Sequence, residues 1–288
     1  MSGSHNTLTL KFGIITDIHF SSAIEPAAAI STAAAISTAA ELRTWLKNCK
    51  KNNVDFLFQL GDLIKGSEKY HKEELRQASS ILKEFPGTIH HVIGNHCLAL
   101  PQQELLDSLG IPSPFYSFSV KKFRFIVLDG MDVSIHNKPE TQEDCRTLEY
   151  FLARPEKHDY CGAVGLRQKG WLRNELETAE TAGETVIVIC HFPLLPETTD
   201  SKYGLLWNHQ EIVDILASST AVKVCLSGHY HYGAYAMKGK IHFVVLPAFV
   251  QRLEHPSFTC GRVELESNRM VIRNQENEVV YDLSFRPQ

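Results

Sequence analysis

Val222-Lys-Val-Cys-Leu226-Ser-Gly228-His229-Tyr230-His231 is the stretch that decides the fold. Its apolar run, Val222 to Leu226, has the composition of a buried strand, and two histidines one residue apart leave its end behind a glycine. On a loop such a pair can share one side, and Gly228 lets the backbone turn sharply. Four other apolar runs end alike. Phe12 to Thr16 stops at Asp17-Ile18-His19, and Phe56 to Leu60 stops at Gly61-Asp62. Val92 and Ile93 stop at Gly94-Asn95-His96, and Val186 to Cys190 stops at His191. In open α/β sheets, ligands collect in the crevice beyond the carboxyl ends of the strands. Each fragment alone reads as an ordinary turn or a surface histidine. Five strand ends together predict a metal site.

The donor set comprises Asp17, His19, Asp62, Asn95, His191, His229 and His231. With one carboxylate bridging, it offers four protein ligands to each of two ions. Mixed imidazole and oxygen donors suit Mn²⁺, with Fe²⁺ or Zn²⁺ as alternatives, and the lack of thiolates argues against a structural zinc site. Paired ions polarise a phosphoryl oxygen and deprotonate a shared water, so a metal-bridging hydroxide serves as nucleophile and no protein nucleophile is needed.

Donors running from residue 17 to residue 231 require both halves of the 288-residue chain to build one site, so residues 1–288 are expected to form a single domain. No apolar run approaches the length of a membrane span, and the first residues lack a signal-peptide pattern. Seven cysteines without a C-x-x-C pair fit reduced thiols and a cytoplasmic protein. A net charge of −4 gives no footprint for nucleic acid. The oligomeric state is not written in the sequence.

Strands are expected at 8–16, 56–60, 116–120, 123–128 and 222–226, and helices at 26–52 (opened by Pro26), 67–85, 101–109, 166–182 and 208–218. The first helix contains Ala27-Ala-Ala-Ile-Ser-Thr32 repeated as Ala33 to Thr38, a six-residue period that forms no helical stripe. Residues 131–165 lose the pattern, carry Pro139 and Pro155 and show only a weak helical signal near 145–153. They read as an irregular insertion and possible lid over the site. After His231, short strands dominate and would close a second, antiparallel-rich sheet. The expected architecture is an α/β four-layer αββα sandwich of two mixed sheets flanked by helices.

The ordered set Asp17-x-His19, Gly61-Asp62, Gly94-Asn95-His96, His191 and Gly228-His229-x-His231 resembles the motif set of the calcineurin-like metallophosphoesterase superfamily. That resemblance implies that Asp17, His19 and His231 hold one metal, that Asp62 bridges, and that Asn95, His191 and His229 hold the second. His96 would then protonate the leaving oxygen or stabilise transition-state charge. A narrower likeness, through Gly162 to Leu172, His191-Phe192-Pro193 to Glu197, and Leu206-Trp207-Asn208, is similar to the manganese-dependent ADP-ribose/CDP-alcohol diphosphatase branch. It implies cleavage of a phosphodiester or diphosphate bond in a nucleotide-type small molecule. Two positions depart from the superfamily pattern. Lys65 stands where many relatives carry an acid that supports the proton-donating histidine, and Cys97 stands where Asp or Glu is common.

Phe20, Asn95, Phe192, Trp207 and Tyr230 are candidate substrate contacts, the aromatics as stacking surfaces for a base. Lys65, Arg154 and Arg167 are candidates for a second phosphate, against the commoner reading as solvated surface. Of the remaining histidines, ordinarily surface or hydrogen-bonded, His136 and His158 fall within the insertion. Alternatives within the same fold are a cyclic-nucleotide phosphodiesterase, a phosphomonoesterase, or a scaffold that has lost catalysis.

Overall fold

The computed structural model describes residues 9–22, 28–137, 139, 141–154, 157–254, 258 and 260–285. Pro26, Ala27, Pro155, His5 and His255, and the strand start expected at Leu8, lie outside them. The elements run β1 (Leu10–Ile15), α1 (Ala28–Lys51), β2 (Phe56–Gln59), α2 (His71–Leu82), β3 (Thr88–His91), α3 (Gln102–Leu109), β4 (Tyr116–Val120) and β5 (Phe123–Leu128). They continue with α4 (Gln142–Leu152), α5 (Leu166–Ala182), β6 (Thr185–Cys190), α6 (His209–Ala217), β7 (Val222–Ser227), β8 (Ala234–Lys238) and β9 (Ile241–Val245). Strands β10 (Cys260–Glu266), β11 (Arg269–Asn274) and β12 (Val279–Ser284) end the chain.

Two six-stranded mixed sheets form, ordered β12-β11-β10-β1-β2-β3 and β4-β5-β6-β7-β9-β8. Strands β1, β2 and β3 are parallel, as are β5, β6, β7 and β9. Apart from β3, which reads Thr-Ile-His-His, those strands are largely apolar because both of their faces are covered. Leu10, Phe12 and Ile14 of β1 meet Phe123, Phe125, Val127 and Ile189 between the sheets, whereas Ile15 packs outward with Leu42 and Trp45 of α1. Phe12, Phe56, Phe58 and Phe125 interlock with ring centroids 5.1 to 5.7 Å apart, each pair adding ~0.5–1.5 kcal/mol beyond burial. The parallel order aims the C-terminal ends of β1, β2, β5, β6 and β7 the same way. This common polarity positions the site.

Three expectations need correction. The late strands do not close a sheet of their own: β10 adds antiparallel to the free edge of β1 and carries β11 and β12, while β8 and β9 extend the other sheet. Val92 and Ile93 follow β3 instead of forming it, although the Val92 amide still bonds the Gln59 carbonyl. Segment 131–165 is less irregular than its composition suggests, since Gln142–Leu152 is helical from Thr141, whose Oγ1 accepts the Asp144 amide at 3.0 Å.

That segment is tied to the start of α5. No side chain of Gly165 can cap the helix, so remote carboxylates do: Asp132 accepts from Gly165 N and Asp144 from Leu166 N, each at 2.9 Å. Beneath them Asp129, fully buried at the end of β5, accepts from Met131 N and from Gln102. Burial, reinforced by the charge of Asp132, pushes the Asp129 carboxyl up to about 8.

Folded Asp129 therefore keeps a proton that the unfolded chain releases near its ordinary value of 3.8, and the wild-type stability it affects falls as pH rises from there toward 8. Asp129→Asn, which cannot ionise, should gain on wild type between pH 5 and pH 8 by on the order of 2–4 kcal/mol. Urea unfolding at both pH values checks this, and a pH-independent difference would contradict the assignment.

Candidate metal centre

All five strand-end loops converge. Asp17 and His19 follow β1, Asp62 follows β2, Asn95 follows β3, His191 follows β6, and His229 and His231 follow β7. Backbone bonds lace the loops together. The amides of Asp17 and His19 reach the carbonyls of Gly61 and Asp62, Gly228 N reaches His191 O at 3.0 Å, and Ala248 N reaches His231 O at 3.0 Å. A Cβ on Gly61, which sits at φ 110°, would collide with the His191 ring, and one on Gly228 would collide with Thr16 and Asp17. Glycine is required there by close approach.

Four donor residues are themselves left-handed, with φ 49° at Asp17, 44° at His19, 51° at Asp62 and 66° at His229. This conformation is uncommon outside glycine and costs of order 1–3 kcal/mol per residue where strained, although Asp, Asn and His tolerate it best. Held by the surrounding sheet, it turns each side chain from the strand end into the shared space.

Hydrogen bonds then choose which atom of each side chain remains available. Asp17 Oδ2 accepts from Thr16 Oγ1 at 2.6 Å and His229 N at 3.0 Å, leaving Oδ1 facing His19 at 3.7 Å and His231 at 3.6 Å. Asp62 Oδ1 accepts from His96 N at 2.9 Å, leaving Oδ2 facing His19 at 3.6 Å and His191 at 3.4 Å. His191 Nδ1 donates to Leu60 O at 2.9 Å, and His229 Nε2 donates to Tyr203 O at 2.7 Å. Those bonds fix each tautomer with the other ring nitrogen bare, the arrangement a metal-binding histidine needs.

Asp17 Oδ1, His19 Nε2, Asn95 Oδ1 and His191 Nε2 are buried without a hydrogen-bond partner. Buried polar atoms are almost always satisfied, so four orphans on one centre call for an occupant. Donors each ~2.1 Å from a shared four-coordinate ion lie about 3.4 Å apart. The observed 3.4 to 3.7 Å separations match that spacing and are too long for good hydrogen bonds. Three donor groups overlap: Asp17 with His19 and His231, His19 with Asp62 and His96, and Asp62 with His191 and His229, each within 4.8 Å. The residues present thus fit divalent cations, and Asp62 Oδ2 is the atom best placed to be shared.

Electrostatics agree. Burial alone would raise Asp17, but the adjacent His19 imidazole and the charge on His191 hold it at about 2, and the His191 charge likewise depresses the buried Asp62. Burial opposes protonation of His191 and His19, yet Asp62 and Asp17 carry His191 up to about 9 and raise His19. Burial and the His191 charge push His229 down to about 4, and burial lowers His231. The carboxylates therefore demand positive charge, which histidine protons supply where a metal would.

His96 does not lack a partner despite Lys65. Its Nδ1 bonds the Lys65 backbone carbonyl at 2.8 Å, and its exposed ring stands 4.5 Å from that of His19. Of the candidate substrate contacts, Asn95 lines the adjoining cleft of about 500 Å³. Phe20 and Phe192 are 3% and 0% exposed, so neither ring offers a stacking face, and Phe192 instead packs 4.7 Å from His229. Trp207 is also buried, stacked on Phe151 with Nε1 donating to His158 O, and borders a separate cavity of about 310 Å³. Tyr230 is half-buried between Tyr203 and Tyr232. The sequence reading missed Tyr160 and Lys202, which line the cleft with His136 and Tyr203. Both sit in segments without periodicity, so no pattern marked them.

The calcineurin-like phosphoesterase model matches residues 10–233. A manganese-dependent ADP-ribose/CDP-alcohol diphosphatase of Arabidopsis thaliana is 32% identical over 258 residues, 80% of either chain. One of the same name from Oryza sativa is 28% identical over 266 residues, 83% of this chain and 82% of that one. A solved dimetal phosphatase from Danio rerio superposes with a TM-score of 0.82 at 22% identity, covering 96% of this chain and 99% of the other, a likeness of fold.

Filling the orphaned donors should stabilise the protein. At Mn²⁺ a hundredfold above its Kd the gain is ~2.7 kcal/mol. Thermal unfolding with Mn²⁺ and with a chelator measures it, and identical midpoints would mean that the donors bind no metal.

Proposed function

This chain belongs to the calcineurin-like phosphoesterase family, and from that premise we propose that it cleaves a diphosphate or phosphodiester bond in a nucleotide-type small molecule resembling ADP-ribose or a CDP-alcohol. It is a metal-dependent phosphoester hydrolase. The proposal includes two divalent ions per chain, manganese foremost, and the names of the curated relatives support both the metal and the substrate class. The carrying observation is the orphaned donor set around the shared oxygen of Asp62. Its seven donors are complete, which argues against a scaffold that has lost catalysis.

When bound, the ions would supply Lewis acidity to the phosphoryl oxygens and a water acidic enough to attack near neutral pH. The chain does the remainder. Asp17, His19 and His231 would hold one ion, Asn95, His191 and His229 the other, with Asp62 between them. His96 Nδ1 is anchored on Lys65 O, so its Nε2 is the nitrogen available to give a proton to the leaving oxygen. The cleft opens on His96 and is the size of ordinary small-molecule sites.

Segment 131–165 is proposed as a wall of that cleft and residues 1–288 as one working domain. Tyr160 OH bonds Lys202 O, Trp207 N bonds Gly162 O at 2.7 Å, and Asn208 bonds Val164 through both its amide groups, so the segment is fastened to the loop after β6. The unpaired state of all seven cysteines supports a cytoplasmic setting. No helix among the described residues is long and apolar enough to cross a membrane.

Purified protein with Mn²⁺ should turn over ADP-ribose or CDP-choline faster than cyclic AMP or p-nitrophenyl phosphate. The reverse order would favour the cyclic-nucleotide or monoester alternative, and no turnover of any would end the hydrolase reading. Asp62→Ala should abolish activity and lower metal content. His96→Ala should keep its metal, measured by elemental analysis, while kcat drops ~10²–10⁴-fold. Loss of metal from the second variant would mean that His96 is a ligand.

A further inference from the structure

Outside the donor set, His136, Tyr160, Lys202 and Tyr203 line the cleft, and Lys202 is the sole lysine or arginine among the described lining residues. Among the described residues no carboxylate pairs with its ammonium, which lies 5.3 Å from the centroid of the Tyr203 ring. That ring is 5.1 Å from the ring of His231 and 6.2 Å from that of His229. The Tyr203 ring thus lies next to both this ammonium and two of the donor histidines.

The backbone carrying this lysine is held on every side. The amides of Lys202 and Tyr203 donate to Asp200 Oδ1 at 2.9 and 3.0 Å, the Lys202 carbonyl accepts from Tyr160 OH, and the Tyr203 carbonyl accepts from His229 Nε2. The ammonium is therefore presented from a fixed strap, with only its own side chain left to order on binding. The sequence candidates for this task are engaged elsewhere. Arg154 lies over the Tyr150 ring and donates to its carbonyl, and Arg167 lies over Phe115. Lys65 contributes its carbonyl to His96 and does not line the cleft.

We infer that Lys202 selects a diphosphate over a single phosphate, its ammonium taking the phosphate next to the one held at the metal centre. The assignment deepens the substrate reading above and rests on it. A mobile, compact cation suits a phosphate whose position shifts with the group it carries, where a rigid guanidinium fork would demand one geometry. Charge-assisted contact with phosphate oxygens in a partly shielded cleft is also stronger than a neutral hydrogen bond.

The test uses the manganese-loaded protein, bis(p-nitrophenyl) phosphate as reporter substrate, and ADP and AMP as competing ligands that differ by one phosphate. Wild type should bind ADP about tenfold or more tighter than AMP, in inhibition and in titration calorimetry alike, the scale of one charged hydrogen bond. Lys202→Gln should remove that preference by weakening ADP more than AMP, and Lys202→Arg should restore part of it. A wild type indifferent to the second phosphate, a Lys202→Gln variant that retains the preference, or one that loses both ligands equally would overturn the assignment. Failure to hydrolyse ADP-ribose and CDP-choline, with a wild-type ADP preference that Lys202→Gln removes, would overturn the substrate reading alone and support Lys202 as the diphosphate contact.

Discussion

Two carboxylates, Asp17 and Asp62, lie buried beside four imidazoles, and the rest of the molecule is arranged so that this concentration of charge can exist. An unpaired buried carboxylate is costly, and among the described residues no guanidinium or ammonium neutralises either one. One oxygen of each is satisfied by the chain itself, from Thr16 and His229 N in one case and His96 N in the other. The second oxygen of each is left to face nitrogens too distant for a good hydrogen bond. Half satisfaction of this kind sets a demand for cations while the satisfied half fixes where they must sit.

Meeting that demand constrains the backbone. Donors from five loops approach closely only if the loops turn at once on leaving the sheets, and the cost falls on Asp17, His19, Asp62 and His229 at positive φ. Gly61 and Gly228 are the matching concession, since their missing side chains leave room for the His191 ring and for Thr16 with Asp17. The two sheets make this affordable in energy because their interleaved core, with Phe12, Phe56, Phe58 and Phe125 at its centre, gives the loops rigid bases. Strain at the site and close packing behind it are one design read from two ends.

The sequence disclosed what obeys short periods and what sits at strand ends. Helix α5 and the β4–β5 hairpin follow directly from apolar spacing and lie at the residues expected. The convergence of Asp17, His19, Asp62, Asn95, His191, His229 and His231 was legible because parallel strands send their ends to one side. Sheet membership was not. Strand β10 joins β1 across more than two hundred residues, and local pattern carries no trace of a partner so remote. Aromatic character also misled at Phe20, Phe192 and Trp207, whose rings are buried, Trp207 against Phe151 and away from the cleft.

Lys65 shows the same limit from the other direction. Judged by side chain, its position deprives His96 of a carboxylate, yet the main chain provides a carbonyl to the same ring nitrogen. A carbonyl accepts one hydrogen bond and fixes the tautomer as well as a carboxylate would. The ring is thereby oriented without any side chain at position 65 taking part. A residue-by-residue comparison of side chains cannot see that contact, because the atom that orients His96 belongs to a peptide group that every amino acid at position 65 would carry. What matters is the path of the backbone from Asp62 to Gly66, where φ is 51° at the one and 75° at the other and the Lys65 carbonyl meets the His96 ring. The orientation of His96 therefore rests on the conformation of a loop that starts at Asp62. Asp62, which accepts from His96 N, and Lys65, whose carbonyl holds the ring, thus fasten His96 from one short stretch of chain.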